Sequence, residues 1–547
     1  MGLVVVILIA VGVVAYFVNS LLSGGAKDQM IAAASKSLKT KVDFQSYGLD
    51  FGSLIKLTPA VRISGLTIAN PQGYSARNMI EAQEVAASLD LRAVMDKRIV
   101  VRSLDIQSPK ILIETGAGGK TNLETILSNL DSGPTQQASA APAAADAGTD
   151  VSVGEILMSH GTVTLASAQK PQPEVVFRDF QLTMSNLAAN QACNLDLNTQ
   201  LFEAGTSQLK VAGKAGPFGK DSLPIDAKAS VALPLAEIPA KTRQIHFGDL
   251  AADPGKDSRI ATDVALQGDL YKVATGTGQL KIDKFLVGPA GQQNRLTLNG
   301  TAPLTLKAVD LMSGDEFELQ APKATFSLGA GTWNGNLLLQ RKSERLSGNL
   351  NGAIQNVDVN QMMTSFAGSP NKVYGTLAIP GFDLRFSGAN SDELQRSLAG
   401  QGKLTVSNGK FQGLSVLSGI EKALGGGQGA QDGAFAQFAT NFNLQKQNIA
   451  LTGISATGPG VVINGQGNIT FTKALNFNLQ TKLTGAAADR IRGLSQGFVS
   501  GDLVIPVQVA GTLDNPQVRP EMKGLAKSAA TNAVQGVLNN FLNKKKK

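Results

Sequence analysis

The chain has 547 residues, too many for one compact core, so its length implies about three or four domains or one elongated unit. Its 50 Lys and Arg exceed its 42 Asp and Glu by eight, and half of that excess is the terminal run Lys544–Lys547, which excludes a broadly basic nucleic-acid binder. Cys193 is the single cysteine, so neither an intrachain disulfide nor a thiolate zinc cluster can form, and histidine chemistry has only His160 and His246 to draw on.

Leu3 to Leu22 is free of charge and long enough to cross a bilayer core of about 30 Å as a helix. It exceeds the apolar region of a cleaved signal peptide, so it reads as an uncleaved transmembrane anchor over residues 1–26. Lys27, Lys36, Lys39 and Lys41 follow it with no basic residue before it, which taken alone would keep the body in the cytoplasm. Long domains cross largely regardless of such charges, and the reading adopted is export. Asp28 to Lys41 has helical spacing and forms a short amphipathic connector.

Strand patterns then dominate. Val61–Ile68, Ile99–Ile106, Pro109–Glu114, Gln279–Asp283, Arg295–Asn299, Lys403–Val406, Asn468–Phe471 and Asn476–Gln480 alternate apolar and polar residues between Gly, Asn or Pro breaks. Such runs predict antiparallel strands with one apolar and one polar face, about twenty-five in all, extending on the order of 100 Å along a sheet. A motif G-x-G-x-φ-x-φ recurs at Gly276–Ile282, Gly400–Val406 and Gly465–Phe471; its paired glycines predict repeated bends and a sheet that curls.

The Ala/Pro/Gly-rich tract 131–150 reads as a linker between an N-terminal β module (27–130) and a long β module (151–518). Helices are few. Thr121-Asn122-Leu123-Glu124 is a capping box opening Leu123–Leu130. Val357–Phe366, Ser391–Leu398 and Leu414–Leu424 read as short helices, and 519–547 as an amphipathic helix with a lysine tail. The fold class is therefore mainly β: a transmembrane helix, then an elongated, curled antiparallel sheet with an apolar groove and few helices.

Three sites with catalytic or nucleotide-binding patterns fall short. Glu114–Thr121 resembles a phosphate-binding loop, but Glu114 stands where the opening glycine belongs and sets a carboxylate where phosphate would lie; a polar turn with a helix cap is the competing reading. Gly493-Leu494-Ser495-Gln496-Gly497 fits a nucleophile elbow by letter, yet both histidines precede it. His160 and His246 have no partner at ligand spacing. No enzyme, cofactor or metal is expected, and Ser495→Ala is expected to be silent.

The chain resembles the AsmA family of envelope proteins over nearly its whole length. The resemblance rests on the N-terminal anchor, Leu104–Ile113 followed by Gly119–Leu123, Val357–Met363, Ser397–Gly409 and, most of all, Ile505–Pro516. It implies an inner-membrane, single-pass protein of a diderm bacterium with its body in the periplasm. It also implies a bent β-sheet with an apolar groove like that of bridge-like lipid-transfer proteins, and a part in moving phospholipid toward the outer membrane or in outer-membrane protein assembly. Implied partners are membrane phospholipid, the inner membrane and an outer-membrane or envelope assembly partner.

By parity the groove candidates are Leu280, Ile282, Leu296, Leu298, Leu404, Val406, Ile469, Phe471, Phe477, Leu479, Ile505, Val507 and Val509. Candidates for the membrane surface are Phe541, Leu542, Lys544, Lys545, Lys546 and Lys547, since each lysine near anionic lipid contributes about 1 kcal/mol. A closed β-sandwich core shows the same alternation. Two readings follow: a lipid-binding or lipid-conducting groove, and an envelope scaffold with a filled core that assists outer-membrane protein assembly.

Overall fold

Alternating residues become strand because each face of a strand meets one environment, and here the two environments differ sharply. The structure is a computed structural model; it describes residues 26–50, 59–90, 92–93, 100–131, 152–167, 175–187, 191–202, 205–219, 222–240, 255–288, 294–311, 314–412, 415–423, 433–494 and 503–521. The expected membrane span, the linker tract 132–150, Phe541, Leu542, the four terminal lysines and His246 lie outside these residues. Among the described residues no helix is long and apolar enough to cross a membrane.

The chain divides into two units, Met1–Thr242 with Arg259–Leu280 and Thr305–Phe317, and Arg243–Ser258 with Lys281–Leu304 and Glu318–Lys547. The first unit begins with α1 (Lys27–Leu38), β1 (Val42–Asp43), β2 (Ser46–Asp50), β3 (Ala60–Ala69), β4 (Asn78–Leu89), β5 (Val100–Gln107), β6 (Lys110–Thr115) and α2 (Asn122–Asp131). It continues through β7 (Ser152–Ser167), β8 (Val175–Ser185), β9 (Cys193–Leu201), β10 (Gln208–Ala215), β11 (Pro224–Pro234) and β12 (Arg259–Asp269). The division then falls within β13 (Val273–Val287), β14 (Leu296–Val309) and β15 (Glu316–Leu328).

The first unit opens on a closed core. Met30, Ala34 and Leu38, one turn apart on α1, and Leu123 and Ile126 on α2 pack with Val61, Ile63, Leu104 and Ile156 from the sheet. The capping box is present: the Thr121 amide donates to Glu124 Oε2 at 2.8 Å, and the Glu124 amide to Thr121 Oγ1 at 3.1 Å. Glu114 is buried and takes two bonds from the Ser75 amide at 2.9 and 3.1 Å, so the turn it begins is a structural one, closed by Gly116 N to Lys120 O at 2.8 Å.

Among the described residues, strand pairing departs from the all-antiparallel expectation at β7. β7 runs parallel to β5 over Val100–Gln107 and to β6 over Lys110–Thr115. Pro109 has no amide to donate, so the ladder breaks between β5 and β6, and one long strand spans both pieces. A parallel pair requires a long crossover; α2 and the tract after it supply that length, which alternation within a strand does not reveal.

At the end of β12, Asp269 accepts from Ser222 Oγ at 2.6 Å and from the Leu223 and Tyr271 amides at 3.0 Å each. Burial works against its charge, but these bonds and the Lys272 ammonium outweigh burial and hold Asp269 at about 2, below its ordinary 3.8. A depressed carboxylate stabilises the fold above its unfolded value, and that contribution is lost as pH falls through the folded value. Asp269→Ala is therefore expected to lower the urea midpoint of the first unit at about pH 5, with the gap to the parent closing by about pH 2.

The second unit contains β16 (Gly331–Lys342), β17 (Arg345–Asp358), α3 (Val359–Ala367), β18 (Val373–Gly388), α4 (Ser391–Ser397), β19 (Ala399–Phe411), α5 (Val416–Ala423), β20 (Gly433–Gln445) and β21 (Asn448–Gly458). It ends with β22 (Val461–Thr470), β23 (Leu475–Leu483), α6 (Gly485–Leu494), β24 (Leu503–Gly511) and β25 (Pro516–Pro520). The sequence predicts α3 from Val357, but Val357 and Asp358 still pair with β18, and the Asp358 carboxylate caps the helix through the Gln361 amide at 2.8 Å. It does not predict α6: G-A-A-A-D-R-I-R-G-L has only Ala487, Ala488 and Ile491 to bury, too little apolar surface to announce itself.

From β16 to β25 each strand pairs antiparallel with the next. β18 and β24 are six strands apart, roughly 29 Å on a flat sheet. Yet Lys372 Nζ, just before β18, donates to the Asp514 carbonyl after β24 at 3.3 Å. The sheet of this unit therefore turns back on itself. Ile420 of α5 and Ile491 of α6 close a core with Leu483, Leu503 and Ile505, and Arg490 pairs at 3.1 Å with Glu421, tying the two helices.

Candidate functional site

Register shows how the faces are built. In the second unit one cross-strand row runs Leu337–Leu350–Leu384–Gly400–Leu444–Ile449–Ile469–Leu475, from β16 to β23. The neighbouring row on the other face runs Asn336–Asn351–Asp383–Gln401–Asn443–Ala450–Asn468–Asn476. Amides on this face bond along and beside the row: Asn336 donates to Asn351 at 2.9 Å, Asn468 to Asn448 at 2.9 Å, and Asn349 to the Asp383 carboxylate at 3.0 Å. With Arg385 beside it and Asn349 donating, the Asp383 carboxyl sits below its usual range.

The first unit repeats the arrangement. Ile156–Met184–Leu195–Gly213–Ala227–Leu266 crosses β7 to β12 on one face, and Glu155–Ser185–Asn194–Lys214–Asp226–Gln267 on the other.

Burial along the apolar face is uneven. Where helices cover it, side chains are buried: Ile505 is 0% exposed, Val507 2% and Val509 3%. Between these covered stretches the same face is only half-buried, at Leu197, Val211, Val231 and Val264 in the first unit and at Leu346, Leu350, Leu384 and Leu404 in the second. An apolar face left half-exposed by its own fold is a surface that an apolar occupant can cover.

The paired glycines serve this face by leaving room. A methyl group at Gly467 would sit 2.3 Å from the Phe477 ring, and one at Gly402 2.7 Å from the Phe442 ring. Each ring therefore lies flat over the neighbouring strand, as happens where glycine and an aromatic meet across a sheet. Phe411, Phe435 and Phe438 form a further cluster, with centroids 4.9, 6.0 and 6.1 Å apart.

The residues singled out by parity fall as follows. Leu404, Val406, Ile469, Phe477, Leu479, Ile505, Val507 and Val509 share one face of the second unit's sheet, with Phe477 opposite Val509 and Leu479 opposite Val507. Leu404, Ile469 and Phe477 are half-buried, whereas Val406 and Leu479 are buried. Leu280, Ile282 and Leu298 are half-buried and Leu296 is buried, its amide donating to Ser365 Oγ of α3 at 2.7 Å. Phe471 is not in a strand: β22 ends at Thr470, and Phe471 stands 42% exposed in the turn that follows, because Thr470 closes that turn by accepting from Lys473. Sequence reasoning missed Leu350, Leu384, Phe386 and Phe442, though Leu346-Ser347-Gly348-Asn349-Leu350-Asn351-Gly352 carries the alternation plainly.

Of the elbow-like match only Gly493 and Leu494 lie among the described residues. They end α6, whereas an elbow nucleophile begins a helix. His160 is exposed at an irregular position of β7 with φ 53°.

The AsmA family model matches residues 1–255. Over these residues, just under half of the chain, the sequence is similar to the AsmA family. No curated protein and no solved structure matches the chain. The matched segment takes in the closed N-terminal core and the first strands of the half-buried apolar face, β8 to β11.

Proposed function

We infer that the protein holds phospholipid by its acyl chains along the apolar face of its sheets, with headgroups left in water. In this reading residues 3–22 anchor it in the inner membrane and its body lies in the periplasm, where it contributes to outer-membrane lipid supply. One observation carries the reading: an apolar row crosses eight strands with no polar side chain, while the row behind it is almost wholly amide and carboxylate. The similarity of residues 1–255 to the AsmA family, a family of envelope proteins, supports it. No catalytic step is needed.

The test is photo-crosslinking in a diderm host, with a benzophenone amino acid at Leu404 or at Lys403, its neighbour on the opposite face. A phospholipid adduct on the full chain is expected from position 404 and not from 403. Adducts to protein alone from 404 would overturn the reading. The scaffold reading would then lead, since α5 and α6 already close one stretch of the same face.

A further inference from the structure

We propose that the rim of the second unit around Asp514 docks onto an anionic lipid bilayer, with Phe366 and Phe471 entering the lipid. This rests on the lipid-groove reading above and adds the surface at which lipid enters or leaves.

Two of the most exposed large apolar side chains among the described residues lie on this rim, Phe366 at 63% and Phe471 at 42%. Neither belongs to a loose segment. Phe366 is on α3, which is pinned by Ser365 Oγ accepting from the Leu296 amide at 2.7 Å and by Asn360 Oδ1 accepting from the Asn371 amide at 2.7 Å. Phe471 is in a tight turn, its amide donating to the Gln447 carbonyl at 3.0 Å. Asp514 brings the two elements together: its carboxylate accepts from Ser369 Oγ at 3.5 Å and from Lys473 Nζ at 3.3 Å, three and two residues from the respective phenylalanines.

The charge around the pair is cationic. Lys372 and Lys473 reach Asp514 from either side, and exposed Lys446 occupies the turn next to Phe471. Three lysines against one carboxylate leave an excess that complements an anionic surface. The occupant is an anionic bilayer because two exposed phenylalanines stand beside this lysine excess, a pairing of apolar and cationic groups that suits the headgroup boundary. Phe471 stands exposed in the turn that follows β22, two residues after half-buried Ile469.

The test uses the full chain in phosphatidylcholine nanodiscs. The native Cys193 is 1% exposed and is replaced by Ala; an environment-sensitive dye is then placed at Phe366→Cys, Phe471→Cys or, as a control on the opposite face, Val504→Cys. Adding vesicles of phosphatidylcholine with phosphatidylglycerol should raise emission several-fold at 366 and 471 and leave 504 unchanged. The response should fall when phosphatidylglycerol is omitted or salt is raised. In an unlabelled chain, Phe366→Ser and Phe471→Ser should each weaken vesicle capture about tenfold. Dye at 366 and 471 that stays as dim as at 504 overturns the proposal. So does a response to envelope proteins without vesicles, which would make this rim a protein contact. Failure of the groove itself reads differently: the phospholipid adduct at Leu404 is then absent whatever the dyes report.

Discussion

Leu404→Lys and Ile505→Lys should part company although both residues occupy the same face. Ile505 is 0% exposed beneath α5 and α6, so a lysine there loses its hydration without gaining a partner. The expected cost is about 4 kcal/mol or more, enough to collapse the fold around β23 and β24. Leu404 is half-buried opposite Thr440 on the uncovered stretch, and a lysine can lift its ammonium to water while its stem covers the sheet. Its expected cost is about 1 kcal/mol, with phospholipid occupancy falling severalfold. Hydrogen exchange of β23 and β24 reads the first effect, and lipid extraction from the purified full chain reads the second. Equal unfolding by both variants would show that Leu404 sits in a closed core, and the groove reading would fail.

Glu114→Ala should cost the first unit about 2 to 4 kcal/mol, since it removes a buried acceptor that holds two chain segments. The Glu114 carboxylate is 1% exposed, takes both bonds from the Ser75 amide and accepts from Asn70 Nδ2 at 3.4 Å; Asn70 Oδ1 in turn accepts from Asn122 Nδ2 at 2.8 Å. Alanine takes from the Ser75 amide and Asn70 Nδ2 the acceptor they share and empties the buried volume that the carboxylate fills. Glu114→Gln keeps one oxygen and should recover most of the loss. Amide exchange over residues 70–78 is the local readout. Protection unchanged in Glu114→Ala would place the stability of that loop elsewhere.

The same residue shows what the sequence makes legible. Glu114 rejects phosphate on charge, and Thr121-Asn122-Leu123-Glu124 marks a helix start; both are local, and both appear in the structure as a polar turn followed by a capped helix. Alternation likewise yields the two faces and the number of strands, since it needs only parity. Parity is blind to what lies over a face, so Ile505 and Leu404 read alike, although α5 and α6 cover one and not the other. It is equally blind to pairing sense: β7 alternates as any strand does, and only the crossover from β6 makes it parallel. α6 escapes notice because its buried surface is mostly alanine. The G-x-G repeat reads as a bend, and a register shift does fall opposite Gly465 and Gly467; its packing against Phe442 and Phe477 involves neighbouring strands, partners that no local window contains.

The row structure has a consequence for how such a protein changes length. Every strand lends one residue to each row, and each row repeats its chemistry from strand to strand. Inserting one β-hairpin of the same alternation would lengthen the apolar track by about 10 Å while leaving every existing side-chain neighbour except those at the insertion seam. Reach is thus a modular quantity, countable in hairpins, and can grow or shrink by duplication or deletion without redesigning the closed cores formed around α1 and α2 in the first unit and α5 and α6 in the second.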